Sequence, residues 1–283
     1  MESEAQSVQK SPLFQEESLL GAHFEVDGFV ELASSYPNKL GISALSDTKA
    51  YLADLSSLNV MTISGEDAQI YLQTLSTANI EGLKGGESSL ALFLNAQSEI
   101  IDSALILKND EFNFMLISLQ ENFEEFRAWL EAYAALDKEG IKAFPNLELS
   151  YLSSQISVLA LGGGVSEHVL SDYIGTQALP AQEHFSSLLL DAIPAVVINV
   201  SQLFNHPAYL LMLQNTDVVR LFRSFMSFEH VENAGLKDIY HYLSEQHPEL
   251  ASIYQADYQS AHSSAYKNYL RKNKNYIGGK LIE

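Results

Sequence analysis

Residues 58–75, LNVMTISGEDAQIYLQTL, carry an apolar alternation, a glycine turn and then apolar positions at helical spacing. Leu58, Val60, Thr62 and Ser64 alternate with Asn59, Met61 and Ile63, the period of a strand. Ser64-Gly65-Glu66-Asp67 reads as a helix start, because glycine permits the turn and the two acids suit the positive end of a helix. Ile70, Tyr71 and Leu75 are expected on its buried face. Residues 156–174, ISVLALGGGVSEHVLSDYI, repeat this order with glycine at the same turn. Downstream of the first copy, 88–95 and 100–107 read as strands joined by Ala96-Gln97-Ser98-Glu99. Phe112 to Ile117 reads as another, and Phe123, Phe126, Leu130 and Tyr133 line a helix. Downstream of the second copy, Ala195–Val200 and Tyr209–Leu213 form a strand pair around Asn205-His206-Pro207, and Val219, Phe222 and Phe225 face inward from a helix. The pattern predicts an α+β fold of duplicated strand-helix-strand lobes. The expected boundaries are an N-terminal arm over 1–40, a first lobe over 41–145, a second over 146–232, and a helical or irregular tail over 233–283, with a ligand cleft where the lobes meet.

Composition narrows the function classes. A chain of 283 residues with 47% hydrophobic and 10% aromatic content is long enough and apolar enough for a globular core. Its net charge of −20 argues against general binding to nucleic-acid phosphates. The tail runs the other way, with Lys267, Arg271, Lys272, Lys274 and Lys280 against one acid, Glu283. Tyr266, Tyr269 and Tyr276 interleave with these cations, so the cluster reads either as a receptor for an anionic ligand tail or as a solvated terminus. There are no cysteines, which excludes disulfides and thiolate chemistry. The first twenty residues lack a basic and apolar leader, and the most apolar run, Leu188 to Val200, is broken by Asp191 and Pro194. A cytoplasmic protein away from membranes is the expectation.

The stations Ser64-Gly65, Ala68, Tyr71-Leu72-Gln73, Asn79-Ile80, Leu83-Lys84, Leu94-Asn95, Ile100-Ile101-Asp102, Leu105-Ile106-Leu107 and Trp129-Leu130 run from residue 64 to residue 130. In that order and spacing they resemble the folate-binding aminomethyltransferase superfamily, whose best-known member is the glycine-cleavage T-protein. The resemblance implies the duplicated α+β fold and tetrahydrofolate, or a derivative, as cofactor. It also implies a carboxylate at Asp102 close to the reacting nitrogen, where the family has an acidic pair and this chain has Asp102-Ser103. Two other family stations differ. The valine-asparagine strand end is Ile117-Ser118, and the pterin-holding glutamate turn is Leu203-Phe204-Asn205-His206-Pro207.

Phe204, His206, Pro207 and Ala208 match the YgfZ-like branch of the superfamily, folate-binding proteins linked to iron–sulfur cluster maintenance. That branch's cysteine-bearing signature falls on Lys274-Asn275-Tyr276-Ile277-Gly278-Gly279-Lys280, with asparagine at the cysteine station, and a relative without the β-barrel that follows in the family is the expectation. The resemblance therefore implies a YgfZ-like, non-catalytic folate-binding protein of iron–sulfur or one-carbon upkeep. Asp102, Ser118, His206 and Tyr276 are its candidate ligand contacts, and Asp102 is the candidate catalytic group. Two alternatives stay open: a tetrahydrofolate-dependent aminomethyl or methyl transferase using Asp102, and a ligand-free subunit that binds a protein partner.

Plainer readings stand beside these. A strand-end aspartate such as Asp102 also caps neighbouring backbone amides. Gly162-Gly163-Gly164 lies between a strand and a helix, but no G-K-[ST] follows, and the repeat accounts for the turn without phosphate. The eight histidines show no metal-ligand spacing.

Overall fold

The structure, a computed structural model, describes residues 8–37, 41–42, 48–119, 123–248, 261 and 264–281. The N-terminal segment holds β1 (Gln9–Lys10), α1 (Phe14–Leu19), β2 (His23–Asp27) and β3 (Val30–Ser35), followed by β4 (Ala50–Asp54). The first copy of the pattern comprises β5 (Asn59–Ser64), α2 (Ala68–Leu75), β6 (Ser88–Leu94), β7 (Ile100–Lys108), β8 (Asn113–Ser118) and α3 (Phe123–Ala134). A short hairpin of β9 (Asp137–Lys138) and β10 (Ile141–Lys142) leads to β11 (Glu148–Tyr151). The second copy comprises β12 (Ile156–Gly162), α4 (Ser166–Ile174), β13 (Phe185–Leu190), β14 (Ile193–Asn199), α5 (Ser201–Phe204), β15 (Ala208–Gln214) and α6 (Asn215–Met226). β16 (Val231–Ala234) and α7 (Leu236–Gln246) follow.

The duplication is borne out strand by strand. The first copy pairs in the order β5-β8-β7-β6 and the second in the order β12-β15-β14-β13, all antiparallel. The neighbour on the far side of each first strand comes from an unexpected place. β11, which leads into β12, pairs with β5; β4, which leads into β5, pairs with β12. Each copy thus gives its leading strand to the other copy's sheet. In consequence the chain divides into one unit of residues 1–57 with 155–247 and another of 58–154 with 248–283, rather than at consecutive boundaries near residue 146. The first unit holds the six-stranded sheet β13-β14-β15-β12-β4-β16, and the second the five-stranded sheet β11-β5-β8-β7-β6.

The turn glycines are required by this exchange. Gly65 has φ +106° and Gly163 φ +105°, values that L side chains rarely adopt. Each also lies under an incoming strand. A Cβ on Gly65 would sit 1.9 Å from the Asn146 carbonyl oxygen just before β11, and one on Gly163 would sit 2.4 Å from the Lys49 carbonyl oxygen just before β4. Gly162 makes room for a different neighbour, because a Cβ there would meet the Tyr51 hydroxyl at 2.3 Å.

Each sheet buries one face under its helices. Tyr71, Leu72 and Leu75 of α2 and Phe126 and Leu130 of α3 pack on Ile63, Phe93, Ile106 and Leu116. Ile70, expected on the buried face, is 55% exposed; Leu72 takes its place, as the period of 3.6 allows for a residue four after Ala68. In the other unit Val218, Leu221, Phe222 and Phe225 of α6 pack on Leu159, Leu161, Leu211 and Leu213.

Residues 8–37 do not form the loose arm expected of them. β1, β3 and β2 make a small sheet, with β1 parallel to β3 and β2 antiparallel to it. α1 brings Glu17 into the interior with no exposed surface. Tyr36 donates its hydroxyl hydrogen to Glu17 Oε1 at 3.1 Å, while Glu17 Oε2 is buried without a partner. Burial, reinforced by the charge of nearby Asp54, pushes the Glu17 carboxyl up to about 9. Asp54, also buried, accepts from the Ser11 hydroxyl and from the Ser56 backbone N–H, and burial raises its carboxyl as well.

Candidate functional site

Asp102 and Ser118, chosen from the sequence, do come together. Strand alternation places Asp102 opposite Phe93 and on the same face as Ala104 and Ile106, the face that α2 and α3 cover. A bulge between Phe93 and Leu94 marks this end of the β6–β7 pair, where the register shifts and ladder pairing loosens. Ser118, at the end of β8, donates its hydroxyl hydrogen to Asp102 Oδ2 at 2.6 Å. Neither residue has exposed surface, and Asp102 Oδ1 is buried without a partner. Burial drives the Asp102 carboxyl well above the usual carboxylate range, against the lowering effect of Ser118 and of the Ser103 backbone N–H. Burial thus favours the protonated carboxyl, a form that can donate or accept a hydrogen bond. Ser103, at the station of the second acid, is also fully buried and its hydroxyl has no partner.

His206 belongs to the other unit, in the turn between β14 and β15. It is clasped by two tyrosines: its Nε2 lies 3.0 Å from the Tyr51 hydroxyl and its Nδ1 lies 3.2 Å from that of Tyr242. Tyr242 gives its hydrogen to the Phe204 carbonyl, so its oxygen accepts from Nδ1–H, and Nε2 is left to accept from Tyr51. Burial lowers the His206 pKa, in keeping with a neutral ring. Tyr51 reaches the histidine through the space that Gly162 leaves open, and that contact, with the β4 crossing over Gly163, accounts for two of the three consecutive glycines.

Tyr276 lies in the tail of the second unit, buried with Ala261 and Tyr266 against Leu92, Leu94 and Ile100. Arg271 anchors this segment. Its guanidinium donates to the carbonyls of Gln73, Ala78, Asn273 and Asn275, and its carbon lies 4.9 Å from the centre of the Tyr276 ring. Arg271 is therefore spent on the protein's own backbone and leaves the basic cluster read from the sequence. Replacing it with methionine removes several charge-assisted bonds, each worth about 1.5–3 kcal/mol. Tryptic cleavage after Lys267 and Lys272 is expected to accelerate roughly tenfold or more, with residues 58–119 as resistant as before. Unchanged cleavage in the tail would show that Arg271 does not hold it.

A feature that the sequence did not reveal is an open cleft of about 740 Å³ in the first unit. Glu167, Pro180, Asn199, Gln202, His206 and Tyr209 are among its lining residues. Tyr209 donates to Glu167 Oε1 at 3.0 Å, and Gln202 Oε1 is buried without a partner. Its signal lies in comparing the two repeats position by position once their pairing is known. Among the described residues, no three His, Asp or Glu side chains gather as a metal site. No helix among them is long and apolar enough to cross a membrane.

Comparison with known proteins follows the same architecture. The model of the GCVT N-terminal domain matches residues 15–235. An aminomethyltransferase of Symbiobacterium thermophilum is 24% identical over 224 residues, covering 78% of this chain and 58% of that protein. One from a Geobacillus species is 26% identical over 139 residues, covering 49% of this chain and 35% of that protein. This chain thus spans little more than half the length of the first of these relatives and about a third of the second. The crystal structure of glycine cleavage system aminomethyltransferase T from Bartonella henselae superposes with a TM-score of 0.80, covering 97% of this chain and 73% of that one at 20% identity. That likeness establishes a shared fold.

Proposed function

The chain belongs to the GCVT N-terminal domain family, and from that premise we propose that it binds a reduced folate and does so without aminomethyl-transfer turnover. The observation that carries this reading is the buried Asp102, with one oxygen held by Ser118 and the other unpartnered. A buried polar atom without a partner costs about 1–3 kcal/mol, and a ring nitrogen of a pterin can satisfy it. Asp102 has no exposed surface, so ligand entry requires a local opening at this strand end.

The departures favour binding over turnover. With Ser103 in place of a second acid, the station has one proton-carrying group instead of two. The place of the pterin-holding glutamate is taken by His206, whose two nitrogens are committed to Tyr51 and Tyr242. The run Phe204, His206, Pro207 and Ala208 supports the YgfZ-like assignment within the family, and with it a part in iron–sulfur cluster or one-carbon upkeep.

Calorimetric titration with tetrahydrofolate and 5-formyltetrahydrofolate tests the reading. Micromolar binding is expected, weakened roughly tenfold or more by Asp102→Ala, the loss of one buried hydrogen-bonding partner. A protein that ignores both folates at millimolar concentration, or an Asp102→Ala variant that binds as well as its parent, would overturn it.

A further inference from the structure

The two repeats correspond residue by residue around the turn glycines. The Gly65 N–H donates to the Phe112 carbonyl and the Gly163 N–H to that of Pro207, each at 2.9 Å. The Lys108 N–H donates to Glu87 and the Asn199 N–H to His184, each at 3.0 Å. Lys108 pairs with Phe114 and Asn199 with Tyr209 across the same two strands. The pairings equate Gln69 with Glu167, Phe114 with Tyr209, and Lys108 with Asn199.

In the first repeat an ammonium fills this corner. Lys108 Nζ donates to Gln69 Oε1 at 2.6 Å and to the Ile80 carbonyl at 3.3 Å, and lies 5.7 Å from the centre of the Phe114 ring. Lys108 is only 7% exposed. In the second repeat Asn199 also donates to a carbonyl, that of Pro180 at 3.0 Å. Asparagine is too short to fill the rest, and the 740 Å³ cleft opens there. The other two changes both suit a cation. The neutral amide of Gln69 becomes the carboxylate of Glu167, and the Phe114 ring becomes that of Tyr209, which keeps its aromatic face. Gln202 adds a buried acceptor oxygen that has no partner. The first turn of α4 carries partial positive charge, which Glu167 offsets, and the corresponding turn of α2 already holds an ammonium.

We propose that this cleft binds a small molecule through a primary alkylammonium group, which takes the position of the Lys108 Nζ between Glu167, Gln202 and the ring of Tyr209. The proposal does not rest on the folate reading, in which Glu167, Gln202 and Tyr209 take no part, although His206, a candidate contact of that reading, also lines the cleft.

The probe is n-butylammonium chloride, with 1-butanol as the uncharged control, followed by the side-chain amide signals of Asn199 and Gln202 in NMR spectra at constant ionic strength. Saturable shifts with the amine and none with the alcohol are expected. Glu167→Gln, a change at an exposed position, should weaken binding about tenfold or more. Asn199→Lys should abolish it by supplying the ammonium internally. Failure of the amine to saturate, equal binding of the alcohol, or undiminished binding in Glu167→Gln would each overturn the proposal, whether or not Asn199→Lys folds.

Discussion

Replacing Gly65 or Gly163 with alanine is expected to destabilise the fold by about 3–5 kcal/mol. Two costs combine. A side chain at φ near +105° carries about 1–3 kcal/mol of backbone strain. The new methyl group also meets backbone, the Asn146 carbonyl in one case and that of Lys49 in the other, so relief requires shifting the strand β11 or β4 itself. At about 2–4 °C per kcal/mol for a chain of this size, melting should fall by roughly 10 °C. Gly41 is the control, because a methyl group there would have no neighbour within 4 Å and its φ is ordinary; alanine at that position should stay within about 0.5 kcal/mol. Equal stability of all three variants in urea unfolding would show that the strand crossings relax freely.

Glu17→Gln carries the second large effect, in the opposite direction. The Glu17 carboxyl is raised from 4.5 to about 9 in the folded chain, so the folded state holds its proton more tightly than the unfolded state. Linkage then sets the sign. The group's contribution to stability is fully present below pH 4.5 and is lost progressively as pH rises through 9. At 1.36 kcal/mol per pKa unit, about 3 kcal/mol has been lost by pH 7. Glutamine matches the shape of the neutral acid, can keep the Tyr36 bond and never ionises. It should therefore raise stability at pH 7 by about that amount and flatten its decline between pH 5 and 9. Asp54, raised by burial, adds a slope of the same sign that the variant retains; His206, lowered by burial, adds one of opposite sign below its ordinary pKa. Chemical unfolding at a series of pH values measures the difference. Parallel curves for parent and variant would mean that Glu17 ionises in place at little cost.

The parts of this fold that were legible in the sequence are those enforced locally. The repeat announced itself because both copies need glycine where a strand crosses, and Asp102 stood out because a carboxylate inside an apolar strand has few explanations. The small N-terminal sheet also carries a local signal, since Asp27-Gly28 between His23–Val26 and Phe29–Ser35 is a hairpin pattern, and Gly28 has φ +58°. Other features depend on distant partners. Nothing in the run Ala50-Tyr51-Leu52-Ala53-Asp54 states that it pairs with β12 rather than with the adjoining β5. Glu17 sits in Phe-Gln-Glu-Glu-Ser-Leu, a sequence that reads as a surface helix, and its burial comes from packing against β3 and Tyr36. The cleft was invisible for the same reason, since equating Asn199 with Lys108 requires the ladder registers and no similarity of side chain suggests it.

The exchange of leading strands also sets a timetable for synthesis. The sheet built on β5 has all five of its strands once Tyr151 has been added. β4, made earlier, must wait for β12, about 100 residues later, or roughly 5–20 s at ordinary translation rates. Throughout that interval an apolar strand, buried at all five positions in the finished protein, has neither of its final neighbours, since β16 emerges later still. The nascent chain is thus open to mispairing at β4 from the synthesis of that strand until β12 has been added, and most of this interval passes while the sheet built on β5 is still being made, which is when a chaperone would have the most to protect.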